Sequence, residues 1–464
     1  MMSSSLMPAE TNPVDLHRSI DAVWRIESAR LIAVLTRIVR DVGLAEDLAQ
    51  DALVAALERW PLTGIPDNPG AWLMAAAKNR AIDLLRRNKL LDRKHQQLGY
   101  ELESTHQLTP DQINAAIDNP VGDDLLRLIF ISCHPILAPE ARVALTLRLL
   151  GGLTTDEIAR AFLLAEPTVA QRIVRAKRTL GEANIPFEVP RGGEFTARLA
   201  SVLQVLYLIF NEGYSATAGD DWTRPALCED ALRLGRVLAE LVPTEPEVHG
   251  LVALMEIQAS RLNARIGPTG EPILLLDQDR SRWDQILIHR GLTALEHAER
   301  LLQTDTNAGA PSSAHDDSSR HETKAGSQDA KTVPHNSGPY TLQAAIAACH
   351  ARALTPEATD WRRIASLYAQ LLNLTPSPII QLNRAVAISM ASGPAAALSL
   401  VDALADEPSL KSYHLLPSVR GDLLHKLGRH QEARIEFERA AALTRNARER
   451  TLLLNRAKAA EPAL

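Results

Sequence analysis

The sequence predicts an all-α protein of several domains, and three observations lead there. Aromatic residues make up only 4% of the 464-residue chain. That is a poor stock for an all-β fold, whereas the abundant Ala, Leu, Arg and Glu favour helix. Apolar residues recur at helical spacing through most of the chain. At roughly 150 residues per domain, the length implies about three domains, each able to bury its own core.

The hydrophobic fraction of 46% and charged fraction of 23% are those of a globular protein, and a net charge of −6 excludes a uniformly basic coat while permitting local basic patches. Cys133, Cys228 and Cys349 are odd in number and far apart, so neither a disulfide framework nor a CxxC metal site is available, and a reducing compartment is expected. No unbroken apolar run reaches the roughly 18 residues that span a bilayer. Residues 1–16 lack the basic start and apolar centre of a signal peptide. A cytoplasmic location, with no membrane partner, is the expectation.

The elements follow in order. A polar tail, residues 1–19, leads into a first helical unit, residues 20–95, interrupted by Pro61-Leu-Thr-Gly-Ile-Pro-Asp-Asn-Pro-Gly70, which is expected to be a loop. Before that loop, Gly43-Leu-Ala-Glu-Asp-Leu-Ala-Gln-Asp51 opens an acidic helix in which Leu48, Ala52 and Ala55 or Ala56 form the apolar stripe. Glu46, Asp47, Asp51 and Glu58 stand against the single Arg59. Such a face repels DNA and suits either water or a protein partner. After the loop comes a basic helix with seven basic and two acidic residues between Trp72 and Lys94. Its Asn79, Asp83 and Arg86 or Arg87 share one edge.

Residues 96–124 carry six acidic residues and no Lys or Arg, with Pro110 and Pro120 interrupting, and read as an acidic linker. The second unit, residues 125–187, contains a helix-turn-helix pattern beginning at Leu153. Gly151-Gly152 stops the preceding helix, Thr154 or Thr155 caps the next, and Ala159 leaves room for a helix crossing. In the second helix of that pattern Val169, Ile173, Ala176 and Leu180 form the buried stripe. Thr168, Gln171, Arg175 and Arg178 lie opposite, with Arg172 at the edge. Residues 168–178 hold four basic residues and no acidic one, as a helix entering a DNA major groove requires. A solvated face is the plain alternative.

Residues 191–464 again read as helix after helix. They are broken at 304–338 by a stretch rich in Ser, Ala, Asp, Thr and His that is too poor in apolar side chains to offset its ordering entropy, hence an expected disordered insertion. Asp277, Asp279, Arg280, Trp283 and Asp284 crowd together, but no nucleophile-base pair, ligand spacing or Gly-rich phosphate loop accompanies them. A polar network fastening helices is the preferred reading. Cys133-His134-Pro135 is read as packing at a helix end, and no chemistry is assigned to His249, His289 or His350.

The order Gly-Leu-Ala-Glu-Asp-Leu-Ala-Gln-Asp, Asn68-Pro-Gly-Ala-Trp-Leu, Asn79-Arg-Ala-Ile-Asp-Leu-Leu-Arg-Arg87 and then the helix-turn-helix resembles the sigma-70 family of RNA polymerase initiation factors. It is most similar to the extracytoplasmic-function branch, which has regions 2 and 4 alone. The resemblance covers about the first 185 residues. It implies that Glu46, Asp47, Gln50 and Asp51 dock on the clamp coiled coil of core RNA polymerase. It implies further that the loop over residues 61–69, with Asn79, Arg80, Asp83, Arg86 and Arg87, reads and opens the −10 promoter element. Thr168, Gln171, Arg172, Arg175 and Arg178 would then read the −35 element. Leu163 stands where such motifs often have Gly, and Ala165 where Ser or Pro is frequent; both positions govern turn and cap geometry.

The C-terminal half resembles the large extension of one group of these factors, through motifs such as Phe210-Asn-Glu-Gly-Tyr214 and Leu276-Asp-Gln-Asp-Arg-Ser-Arg-Trp-Asp284. Leu427-Gly-Arg-His-Gln-Glu-Ala-Arg-Ile-Glu-Phe-Glu-Arg-Ala440 resembles a tetratricopeptide repeat. The implied protein is a non-enzymatic, cofactor-free sigma factor with a helical regulatory domain that receives a signalling protein or ligand. The alternatives are an operator-binding helix-turn-helix regulator acting without polymerase and a hydrolase built on the C-terminal helices.

Overall fold

The computed structural model describes residues 13–97, 121–308 and 336–460. Within them the fold is all-α: eighteen helices and four short 3-10 turns, with only isolated β-bridges. The chain divides into two compact units, Met1–Leu206 and Tyr207–Leu464. Most of the expected acidic linker, residues 98–120, and most of the expected insertion, residues 309–335, lie outside the described residues.

In the first unit, α1 (Pro13–Val39), α2 (Val42–Thr63) and α3 (Pro69–Gln97) form one group. Helix α1 therefore starts within what the sequence suggested was a polar tail. Its buried Leu31, Ile32 and Leu35 anchor the group, with Trp60 of α2 edge-on to Trp72 of α3 at 5.4 Å between ring centroids. Pro61 is not in a loop. Helix α2 carries it through the last turn, where Thr63 Oγ1 donates to Arg59 O at 3.1 Å, and the break is confined to residues 64–68. A proline so near a helix end disturbs only the final turn, and burial of Trp60 holds that turn in place.

The second group holds α4 (Val121–Ser132), α5 (Pro139–Leu149), α6 (Thr155–Phe162) and α7 (Glu166–Glu182). Asp124, placed in the linker by composition, is buried in α4 and accepts from Arg37 Nε and Arg127 at 2.7 Å each. The stripe Val169, Ile173, Ala176 and Leu180 is buried as its spacing requires. Each large member contributes roughly 1.5–3 kcal/mol of transfer free energy. Gly152 at φ 71° lets the chain pass α1: a Cβ there would lie 2.9 Å from Ser28 Oγ.

Helix α8 (Gly193–Tyr214) is divided by the unit boundary, so its first part belongs to the first unit. The reason is polar as well as apolar. Arg198 donates to Phe130 O at 3.1 Å, Arg142 donates to Ser201 Oγ at 2.5 Å, and Ser201 Oγ donates to Cys133 O at 2.6 Å. By length and composition alone α8 could cross a membrane, but half of its most apolar window is buried inside the structure, as in a core helix.

The second unit stacks helices in sequence. They are α9 (Pro225–Leu241), α10 (Pro246–Ala259), α11 (Gln285–Ala308), α12 (Pro339–Arg352), α13 (Trp361–Leu374), α14 (Pro378–Ser392), α15 (Pro394–Asp402), α16 (Leu415–Lys426), α17 (His430–Leu443) and α18 (Ala447–Ala459). Residues 304–308, expected in the insertion, belong to α11. Gly421 of α16 lets Phe437 of α17 pack closely, since a Cβ would meet the ring at 2.9 Å.

Candidate nucleic-acid interface

The helix-turn-helix is set by local chemistry. Thr154 Oγ1 accepts from the Glu157 amide at 3.1 Å, and Glu157 Oε2 accepts from the Thr154 amide at 2.8 Å, a reciprocal capping box that starts α6. Leu163 ends α6 in the left-handed region, at φ 52° and ψ 44°, where a Cβ is strained. Ala165 then begins α7 with an extended backbone and no side-chain cap. The departures noted in the sequence thus leave the turn formed, at a local energetic cost.

On α7, Thr168, Gln171, Arg175 and Arg178 are exposed, and Arg172 is half-buried beside them. Val174 is 63% exposed on the same outward side, where an apolar group could meet a thymine methyl. Arg178 is not free. Its Nε donates to Glu182 Oε1 at 2.6 Å, an acid one turn beyond residues 168–178. An exposed pair of this kind is worth little and can be exchanged for a phosphate.

The acidic helix divides. Asp47 and Asp51 are exposed and Gln50 is partly so, but Glu46 is only 2% exposed. Arg148 Nε of α5 donates to Glu46 Oε1 at 2.6 Å, Gln50 Nε2 donates to the same oxygen at 2.5 Å, and the Lys177 ammonium of α7 pairs with the other oxygen. Glu46 is therefore corrected from a surface docking residue to an internal tie in this conformation. The local sequence around Glu46 holds no sign of this, because both cations lie more than a hundred residues away in the chain. Two further ties join the same groups: Arg37 to Asp124, and Arg25 to Glu157 at 2.8 Å.

On α3, Asn79, Asp83, Arg86 and Arg87 are exposed along one edge, while Arg80 is half-buried with Nη1 3.9 Å from Asp51 Oδ2. The acidic and basic helices are thus joined at the rim of the candidate surface. Asn68 Oδ1 accepts from the Ala71 amide at 3.0 Å and fixes the entry to α3.

The remaining polar clusters have structural partners. Asp279 accepts from the Ser281 amide at 2.9 Å, and Asp284 accepts from the Ile286 amide at 2.9 Å. Arg280 donates to His350 O at 2.9 Å and Ala353 O at 2.6 Å, fastening the segment to the end of α12. Cys133 Sγ lies 3.3 Å from Thr146 Oγ1, and burial pushes its thiol up to about 11. His134 accepts at Nδ1 from the Ile136 amide at 3.1 Å, and burial lowers it to about 4. Among the described residues no group of three or more His, Cys, Asp or Glu could hold a metal ion.

Comparison with known proteins matches these elements in order. Residues 25–90 match sigma-70 region 2 and residues 127–180 match sigma-70 region 4. Residues 198–299 match a family of unknown function, DUF6596. An uncharacterized protein of Rhizobium meliloti is 40% identical over 435 residues, covering 93% of this chain and 94% of that protein. The ECF RNA polymerase sigma factor SigL of Mycobacterium tuberculosis is 30% identical over 166 residues, 34% of this chain and 85% of SigL. The probable ECF RNA polymerase sigma factor SigI of the same species is 28% identical over 173 residues, 37% of this chain and 58% of SigI.

Proposed function

Because the chain belongs to the sigma-70 family, in its extracytoplasmic-function branch, and has a role in transcription initiation, we propose that it binds core RNA polymerase and reads both promoter elements. In this reading Asp47, Gln50 and Asp51 on α2 meet the polymerase clamp. Asn79, Arg80, Asp83, Arg86 and Arg87, with the loop before α3, engage the −10 element, where extracting a base from the stack costs a few kcal/mol, roughly, and is offset by stacking and hydrogen bonds. Thr168, Gln171, Arg172, Arg175 and Arg178 enter the major groove at −35.

The observation that carries this reading is the exposed Gln171, Arg175 and Arg178 face of α7, backed by a buried stripe and paired in one unit with the region 2 helices. A sigma factor needs no catalytic residues of its own, since phosphodiester formation belongs to polymerase, and it acts in the cytoplasm where polymerase and template meet. The C-terminal unit, read as tetratricopeptide-like, couples a signal to promoter output. Stacked helix pairs offer grooves for partners. Run-off transcription with purified core polymerase tests the proposal: the chain should confer initiation at defined start sites that core alone does not use. Operator binding without any effect on core would favour a stand-alone regulator.

A further inference from the structure

We propose that the C-terminal unit binds a small organic monocarboxylate in a cavity bordered by Arg261. The cavity, about 380 Å³, lies among α10, α12, α13 and the start of α14. Arg261 follows the end of α10 and is 6% exposed, and its Nε is buried with no hydrogen-bond partner. Among the described residues no carboxylate lies within ion-pair distance of its guanidinium. What surrounds it is aromatic: the Tyr214 and Trp283 rings have their centroids 5.9 and 5.7 Å away. Ring faces attract a cation but supply no acceptor in the plane of its N–H groups.

Two further cations lie nearby, and among the described residues the one carboxylate in electrostatic reach of them, Glu357, acts on Arg280 and not on Arg261. Arg265 sits over Tyr214 at 3.8 Å, and Arg280 uses its terminal nitrogens on backbone carbonyls and on Thr359 Oγ1, which carry no net charge. A buried cation left this way is unfavourable unless an anion completes it. No Asp or Glu borders the cavity. The other polar groups there include the amides of Gln258 and Asn383, the Tyr368 hydroxyl and the His350 ring, whose Nδ1 is buried without a partner. Burial, with Arg261 and Arg280 nearby, holds His350 neutral at about 3, and burial raises Tyr368 to about 12, so both can donate a hydrogen bond at neutral pH.

The lining also includes the apolar Leu254, Ile346, Leu371 and Ile380. One guanidinium fork matches one carboxylate in charge and in planar geometry, and the apolar lining residues suit a hydrocarbon or aromatic body. The single bordering charge beside both polar and apolar side chains fits a monocarboxylate better than a phosphate dianion.

Titration of the full-length chain with phenylacetate, benzoate and hexanoate tests this, with phenylacetamide and inorganic phosphate as controls. Because it uses no polymerase or DNA, its outcome is separate from that of the transcription reading. At least one carboxylate should bind 1:1 with a Kd below about 1 mM, at least tenfold more tightly than the isosteric amide, and phosphate should not bind at the site. Arg261→Met should abolish binding while leaving the unliganded melting temperature unchanged or higher, since it removes an uncompensated buried charge. Should that variant fail to fold, Asn383→Leu should still weaken binding at least threefold. No saturable carboxylate binding, equal binding of acid and amide, binding of phosphate alone, or full affinity in Arg261→Met would each overturn the proposal.

Discussion

Arg148 Nε on α5 lies 2.6 Å from Glu46 Oε1 on α2, and Lys177 of the candidate recognition helix pairs with the same carboxylate. One buried side chain thus ties the helix expected to meet polymerase to the helix expected to read DNA. Glu46→Gln leaves two cations, each about four-fifths buried, without their anion. Breaking such an arrangement from one side should cost the first unit about 2–4 kcal/mol. Urea unfolding followed by the Trp60 and Trp72 fluorescence checks this, and an unchanged midpoint would show that the tie contributes nothing. The triple replacement Glu46→Leu, Arg148→Met and Lys177→Met should recover most of the loss.

The turn between α6 and α7 carries two correctable strains. Leu163, 53% exposed at φ 52°, loses little burial on replacement by Gly, so Leu163→Gly should stabilise the unit by about 0.5–1 kcal/mol. Ala165→Ser adds the missing cap to α7 and should contribute about 1 kcal/mol. Thermal melts of the two variants and their combination test both; a lowered melting temperature in either would contradict the assigned geometry.

The stripe of α7 and its outward arginines are legible in the sequence, and the cap of α6 is narrowed to Thr154 or Thr155, because these features depend on residues within two or three turns of each other. Glu46 was not, since its burial depends on Arg148 and Lys177 reaching it from distant segments. Asp124 looked like linker by composition, yet Arg37 and Arg127 make it a core anion. That the start of α8 packs with the first unit is not legible either, because Arg198 and Ser201 look like ordinary polar positions until their acceptors at Phe130 and Cys133 are seen. Arg261 carried no signal at all: its isolation arises only when helices far apart in sequence converge.

Asp47 and Asp51 remain exposed on α2, Asp51 at the long end of ion-pair distance from Arg80, and both face outward to a basic partner. Reversing both to Lys should weaken binding to core polymerase by at least about tenfold, or roughly 1.4 kcal/mol. Circular dichroism should stay unchanged. Equal capture of core by parent and variant would remove α2 from the polymerase interface.

His350 should give the second unit an acid-sensitive stability. Burial, then Arg261 and Arg280, depress it from 6.5 to about 3, so the unfolded chain binds the extra proton first as pH falls. Stability from this group is therefore complete above pH 6.5 and declines toward pH 3. The loss by pH 5 is about 2 kcal/mol. His350→Gln should flatten that decline, measured as the pH 7 to pH 5 change in the unfolding midpoint; an equal decline in the variant would assign it to other groups.

In the proposed function, α7 directs core polymerase to a −35 sequence. In vitro transcription from a library randomised at −35 tests it directly, using purified core with the parent chain and with Gln171→Ala, Arg172→Ala, Arg175→Ala or Arg178→Ala. The parent should select a defined motif. At least one variant should lose preference at one base, a bidentate contact being worth roughly 1–3 kcal/mol of discrimination, whereas loss of a phosphate contact would lower output for all sequences alike. Transcripts from core that are the same with and without the chain, or an unchanged motif and yield in all four variants, would show that α7 does not select the promoter.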